Sequence, residues 1–117
     1  MTVYFVFGSN LAGVHGAGAA REAHEKWGAI MGKGIGPQGD SYAIPTKDRN
    51  IRTMTVAQIA PHVRDFLWFA RAHPRDSFLV TAIGCGLAGH DPADIAPLFA
   101  GATENVFLSE KLVAALR

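Results

Sequence analysis

Residues 8–20 read GSNLAGVHGAGAA, a stretch in which glycine and alanine predominate and in which no lysine or carboxylate occurs. The preceding run, Val3–Phe7, is apolar, aromatic and β-branched, which predicts a short strand buried on both faces. Downstream, apolar residues recur at helical spacing and predict a helix from about Gly18 to Trp27. Because regular secondary structure is predicted on both sides, the stretch is not expected to be a flexible linker. It is expected to be a tight strand-to-helix loop whose backbone is closely approached by another group.

The same strand-then-helix pattern repeats along the chain. After a predicted loop over residues 32–40, Ser41–Pro45 reads as a second strand that ends at its proline. Thr55 and Gln58 form a capping-box pair that predicts the start of a second helix, ending near His73.

The third unit follows the same order. Ser77–Ile83 reads as a buried strand, and Asp91 with Pro92 predicts the start of a helix that runs to about Ala100. Asn105–Leu108 reads as a last strand and residues 109–116 as a terminal helix. This alternation predicts one α/β domain over residues 1–117 with a largely parallel sheet.

Composition narrows the class of protein. The 117 residues are 49% hydrophobic, enough for a core, and the 11 basic and 10 acidic side chains form no long basic run. The electrostatic footprint of a general duplex-DNA binder is therefore missing. The one cysteine, Cys85, favours a cytoplasmic location, and no apolar stretch has the length or the flanks of a signal peptide or a membrane span, so no membrane partner is expected.

Two glycine-rich turns point to a ligand. One is residues 8–18 and the other is Gly84–Gly89 (GCGLAG), and each follows a predicted buried strand and precedes a predicted helix. In a parallel sheet such turns meet at the carboxyl ends of the strands, where unobstructed backbone N–H groups and helix N-termini suit phosphate, especially a diphosphate. GxxxxGK[ST] is absent, so a P-loop is not expected, and GxGxxG fails in the first turn because Gly16-Ala17-Gly18 is followed by Ala19, Ala20 and Arg21.

Three motifs together resemble a known family. Asn10–Ala20 (NLAGVHGAGAA), Ile44–Asp48 (IPTKD) and Ile83–Asp91 (IGCGLAGHD) are similar, in this order and spacing, to the signatures of macrodomains, over residues 3–100. Among macrodomains the pattern is most similar to the DNA-directed ADP-ribosyl glycohydrolase antitoxins and the terminal ADP-ribose protein glycohydrolases. The resemblance implies a compact three-layer α/β/α fold with a mixed, largely parallel sheet, here without the family's usual first strand.

The resemblance also implies a ligand and its contacts. The ligand would be ADP-ribose or a related nucleotide, carried by ADP-ribosylated nucleic acid or protein, with no resident cofactor and no metal. Asn10 would meet the distal ribose, and Lys47 would be the catalytic residue, attacking the anomeric carbon or forming an imine with the opened ribose. The implied ligand-binding residues are Gly8, Ser9, Asn10, Gly13, Val14, His15, Gly16, Gly18, Thr46, Gly84, Cys85, Gly86, Leu87, Ala88, Gly89 and His90.

The chain departs from the family pattern in ways that keep the function open. It has no counterpart of the aspartate that recognises adenine, and Lys47 is followed by Asp48-Arg49-Asn50 where a His-Trp pair is usual. If the chemistry needs an acid, Asp48 or Asp91 would have to supply it. Three readings therefore stand side by side: an ADP-ribosyl glycohydrolase, a non-catalytic reader or sequestering module, and a domain with a changed ligand.

Other residues have plainer alternatives. Cys85 with His90 could form a nucleophilic pair, although a packed thiol is the commoner outcome after a buried strand. Lys33 and Arg49 could neutralise phosphate in place of Lys47. The helical histidines have no metal-binding spacing, and Trp27 and Trp68 are predicted to be packing residues.

Overall fold

The computed structural model describes residues 1–117 and contains one five-stranded sheet with strand order β2-β3-β1-β4-β5. The strands are β1 (Val3–Asn10), β2 (Gly36–Gln38), β3 (Ser41–Lys47), β4 (Ser77–Val80) and β5 (Val106–Leu108). All neighbouring strands are parallel except β2, which runs antiparallel to β3. The predicted α/β class with a mixed, mostly parallel sheet is confirmed, and β1 is its central strand.

Helices cover the two faces of this sheet. They are α1 (Gly18–Lys26), α2 (Val56–Ala72), α3 (Pro92–Ile95) and α4 (Glu110–Ala115), and a 3₁₀ turn, Ala96–Phe99, continues α3. The predicted third helix changes to 3₁₀ geometry at this point because Pro97 has no N–H for an α-helical hydrogen bond. None of the helices is long and apolar enough to cross a membrane.

Alternation along β1 divides the core in two. Phe5 and Phe7 point to the face covered by α1, where they pack with a small cluster of alanines. Val6 points to the opposite face and joins the larger core beneath α2, which is centred on Phe66 and Phe78. The molecule therefore has three layers, with α1 on one side of the sheet and the other helices on the opposite side.

Local capping signals were predicted correctly. Thr55 Oγ1 accepts a hydrogen bond from the Gln58 N–H at 3.2 Å, and Gln58 Oε1 accepts one from the Thr55 N–H at 2.8 Å. The Asp91 carboxylate accepts from the Ala93 N–H at 2.9 Å, with Pro92 at the first helical position. These pairs are close in sequence, so a local pattern is sufficient to find them.

Several strand boundaries differ from the prediction. Part of the predicted loop over residues 32–40 is β2, because residues 36–38 pair with β3. β3 continues through Pro45 to Lys47. β2 pairs with it only as far as Ala43, and Pro45 lies beside the register shift between Ser9 and Asn10 of β1, an irregular point of the ladder where a proline is tolerated. β4 ends at Val80, before the predicted Ile83.

The two tryptophans behave differently. Trp27 is half-buried and stacks on Phe5 with a centroid separation of 5.3 Å, as a packing residue should. Trp68 is 66% exposed, so its predicted packing role is wrong. At about 100° per residue it lies roughly 200° around α2 from Phe66, which faces the core.

Candidate functional site

A cavity of about 530 Å³ opens at the carboxyl ends of β1, β3 and β4. The chain leaves β1 toward α1 on one face of the sheet, and it leaves β3 and β4 toward helices on the other face. A crevice forms where neighbouring connections diverge in this way, and in open α/β sheets it is the usual place for a ligand. We call it the edge pocket. It is lined by residues 8–10, 14, 16–20, 46, 47, 51, 81–84 and 86–88.

Both glycine-rich turns face this one pocket. Of the residues predicted for the site, those that line the pocket are the catalytic candidate Lys47 and the ligand-binding candidates Gly8, Ser9, Asn10, Val14, Gly16, Gly18, Thr46, Gly84, Gly86, Leu87 and Ala88. Gly13, His15, Cys85, Gly89 and His90 are not among the lining residues.

The N-terminus of α1 is left without a cap. Its N-cap residue is Ala17, which has no side-chain acceptor, and the first turn contains no acidic residue. The N–H groups of Gly18, Ala19 and Ala20 donate to no group within the chain. Since all three residues line the edge pocket, the helix presents unused donors and its positive dipole end to whatever enters.

The second turn adds further backbone donors. The N–H groups of Cys85, Gly89 and His90 are used inside the turn, where they donate to the carbonyls of residues 82, 86 and 84. Those of residues 82, 84, 86, 87 and 88 donate to no group within the chain, and all five residues line the pocket. The turn therefore uses some of its N–H groups to hold its own shape and leaves the others unpaired in residues that line the pocket, a combination that also occurs in anion-binding nests.

Asn10 organises the loop that leaves β1. Its Nδ2 donates to the Val14 carbonyl at 2.8 Å, and its Oδ1 accepts from the Val14 N–H at 3.0 Å. Both ends of the amide are thus engaged in closing the loop over residues 10–14. Asn10 is also paired with Lys47 across the β1–β3 ladder, so these two predicted residues lie side by side.

Lys47 is the one charged side chain that lines the pocket. It is half-buried and forms no ion pair, since the chain's only ion pair joins Arg21 and Glu25 on α1. No carboxylate lines the pocket. The electrostatic environment is therefore cationic, from one ammonium group and a set of N–H dipoles.

The two carboxylates that could have served as acids are engaged elsewhere. Asp48 Oδ1 accepts from the Asn50 N–H at 2.8 Å and from the Arg52 N–H at 3.0 Å, so it shapes its own turn. The Asp91 carboxylate caps α3.

Residue 51 was missed by the sequence analysis. Ile51 lines the pocket next to Lys47 and has a backbone φ of 61°, a left-handed conformation that β-branched residues rarely adopt. Its turn is tied to the opposite wall, because Thr53 Oγ1 donates to the Ala88 carbonyl at 3.0 Å. Strained backbone of this kind clusters at functional sites, and no local sequence signal predicts it here.

His15 was predicted to touch the ligand, yet it points into the protein. It is 1% exposed, its Nε2 lies 2.9 Å from the Ile30 carbonyl and 3.0 Å from the Lys33 carbonyl, and its ring packs edge-on against Phe7. Gly13 has a similar inward role, because a Cβ there would lie 2.3 Å from the carbonyl carbon of Gly32. Both residues seat the β1–α1 loop on the loop over residues 30–34.

Cys85 and His90 do not form a nucleophilic pair. The Cys85 thiol donates to the Ile83 carbonyl at 3.4 Å, and His90 Nε2 donates to the Met54 carbonyl at 2.7 Å. Burial raises the pKa of the Cys85 thiol, and Asp91 raises it further against the opposing effect of Lys111. A thiol held protonated is a poor nucleophile, so the packed-thiol alternative is the better description.

The other two basic candidates, Lys33 and Arg49, do not reach the pocket lining. The Lys33 ammonium donates to the Pro37 carbonyl at 2.8 Å and lies outside the lining, as does Arg49. Thr81, which the sequence analysis did not single out, lines the pocket, and its hydroxyl donates to the Val6 carbonyl at 2.8 Å. A threonine inside the otherwise apolar run of residues 78–83 was the available signal for it.

No group of three or more histidine, cysteine or acidic side chains is placed to hold a metal ion. Comparison of the chain with models of known protein families, with curated proteins and with solved structures finds no significant match.

Proposed function

We propose that the edge pocket binds ADP-ribose or a closely related NAD-derived nucleotide through its diphosphate and adjoining ribose. The observation that carries this is the convergence of unused N–H groups, from the uncapped α1 and from the turn after β4, on one cavity whose only charged side chain is Lys47. Such a set of donors suits a diphosphate, and a volume of about 530 Å³ is typical of a small-molecule site. The similarity of the three motifs to macrodomains names ADP-ribose among the possible diphosphates.

Calorimetric titration with ADP-ribose tests the binding, with AMP and ribose 5-phosphate as partial ligands that lack the diphosphate. The sharpest variant is Ala17→Asp, because its carboxylate would cap α1 and occupy the place of the ligand's phosphate. We expect a gain of about 0.5–2 kcal/mol in the free energy of unfolding and a fall of at least roughly tenfold in affinity for ADP-ribose.

Ala17→Ser is the matched control, since it caps the helix without adding charge. It should raise stability while weakening binding less than Ala17→Asp does. Saturable heat that is the same in the wild type and in Ala17→Asp would show that the ligand does not use this helix end. Absence of saturable heat in the wild type at millimolar ADP-ribose would refute the proposal as a whole.

Two outcomes of binding are distinguished by Lys47. In the hydrolytic reading, the Lys47 amine attacks the anomeric carbon, and the modified target leaves with the bonding electron pair and takes up the proton that the amine loses. Water then attacks the same carbon and breaks its bond to nitrogen, which releases ADP-ribose and restores the amine. Its position in the lining, next to Asn10 and free of any ion pair, favours this reading. The non-catalytic reading is favoured by a different observation: no carboxylate lines the pocket, and Asp48 and Asp91 are engaged in backbone hydrogen bonds, so no acid–base partner is at hand.

Release of ADP-ribose from modified DNA and from modified protein separates these readings. Lys47→Ala should abolish release while changing affinity only a few-fold, and Lys47→Arg should retain the charge without the nucleophile. Release by Lys47→Ala at the wild-type rate would remove this lysine from the mechanism. Tight binding without release by the wild type would establish the reader.

A further inference from the structure

A second surface feature lies on α2, away from the edge pocket. Arg64, Leu67, Trp68 and Arg71 follow the spacing i, i+3, i+4 and i+7, which places them on one face of the helix. Trp68 is 66% exposed, so most of its indole surface lies in water. A shallow groove of about 180 Å³ runs beside them and is closed on its far side by Ala100 and Gly101.

The two charged side chains that line this groove are both arginines. The guanidinium carbon of Arg71 lies 5.7 Å from the centroid of the Trp68 ring, and Arg64 lines the same groove. Neither arginine forms an ion pair, and no carboxylate lines the groove. The groove therefore combines a flat aromatic surface with two cations that form no ion pair.

We propose that this face binds single-stranded nucleic acid, with a base stacked on Trp68 and neighbouring phosphates held by Arg64 and Arg71. An exposed indole offers a stacking platform to any base, and guanidinium groups pair with phosphate and stack on bases in turn. Charge complementarity selects a polyanion, and the indole selects one that carries aromatic groups. Duplex nucleic acid fits less well because its bases are already stacked on one another.

The proposal is independent of the ligand in the edge pocket. α2 begins at Val56, close to the turn that carries Ile51, and Trp68 lies about 18 Å further along the helix at 1.5 Å per residue. The two surfaces thus share no residue, and each can be inactivated separately.

The test is a titration with a twelve-nucleotide oligothymidylate. In the Trp27→Phe variant Trp68 is the only tryptophan, so its fluorescence reports directly on stacking. We expect saturable quenching, with a dissociation constant of about 10⁻⁶–10⁻⁴ M at physiological salt and tighter binding at lower salt. With a labelled oligonucleotide and anisotropy as the signal, Trp68→Ala should weaken binding roughly 5- to 100-fold, the loss of about one stacked base.

The salt dependence of the affinity tests whether Arg64 and Arg71 contact phosphates. Arg64→Gln combined with Arg71→Gln should make the slope of log affinity against log salt shallower by about 1.4, since each phosphate contact to a single strand contributes about 0.7. Arg75→Gln is the matched control, because Arg75 is exposed and lies outside the groove, and it should leave the affinity close to that of the wild type.

Several results would overturn the proposal. They are the absence of saturable quenching, an affinity for the oligonucleotide that Trp68→Ala leaves unchanged, and equal binding of polyglutamate, which would show that charge alone is read. Loss of oligonucleotide binding in Ala17→Asp, with retention in Trp68→Ala, would place the strand in the edge pocket and also overturn it. Trp68→Ala should bind ADP-ribose as the wild type does, so failure of one proposal is distinguishable from failure of the other.

Discussion

The left-handed backbone at Ile51 gives a quantitative prediction about stability. An L-residue with φ near 61° costs about 1–2 kcal/mol relative to glycine, whereas glycine at an ordinary position costs about 0.5–1 kcal/mol relative to alanine. Ile51→Ala and Ile51→Gly remove the same contacts of a half-exposed side chain, and only the glycine relieves the backbone. The glycine variant should therefore be the more stable of the two by roughly 0.5–1 kcal/mol.

Thermal unfolding measures this difference. For a chain of 117 residues about 1 kcal/mol corresponds to roughly 4 °C, so Ile51→Gly should melt about 2–4 °C above Ile51→Ala. Ala57→Gly in α2 is the matched control, where glycine should lower stability by about 1 kcal/mol. An Ile51→Ala variant as stable as Ile51→Gly, or more stable, would refute the left-handed conformation and the constraint that we attribute to this turn. Both variants remove a pocket wall, so both should bind ADP-ribose more weakly than the wild type.

Three further predictions concern the same scaffold. Gly34→Ala should lower the free energy of unfolding by about 3 kcal/mol, because its Cβ would lie 2.0 Å from the Asn10 carbonyl oxygen. Gly86→Ala has open space around the new Cβ and should change the free energy of unfolding by less than about 0.5 kcal/mol. Urea denaturation measures both variants. Burial, with repulsion from Asp65, raises the pKa of Tyr42 from 10.0 to about 12, so its phenol ionises more readily in the unfolded chain. The stability that this contributes is complete below pH 10 and is lost as the pH rises toward 12, and Tyr42→Phe should show a smaller loss across that window in urea denaturation. Asn10→Ala removes both hydrogen bonds to Val14 and should lower the melting temperature as well as the affinity for ADP-ribose, whereas an effect on affinity alone would contradict its role in the loop.

What the sequence predicted correctly depends on signals that are local. The strand-to-helix order, the capping box at Thr55 and the N-cap at Asp91 rest on residues a few positions apart, and all were found. The convergence of the two glycine-rich turns also followed, because parallel strands bring their carboxyl ends to one edge of the sheet.

What the sequence did not predict depends on partners that are distant along the chain. His15 is turned inward by the carbonyls of Ile30 and Lys33, which lie 15 and 18 residues away. Within the glycine-rich loop before β3, residues 36–38 become a strand only through pairing with β3. The backbone conformation of Ile51 arises from the turn closed by Asp48, and an isoleucine carries no local sign of it.

The close contact between the β1–α1 loop and the loop over residues 30–34 affects the free energy of ligand binding. At Gly13 and Gly34 the two backbones approach so closely that no side chain fits between them. The His15 ring joins the two loops through its contacts with the carbonyls of Ile30 and Lys33. This wall of the edge pocket is thus preorganised by contacts that involve no ligand. A molecule that binds against it does not have to order the loop, and more of the interaction free energy is available as affinity.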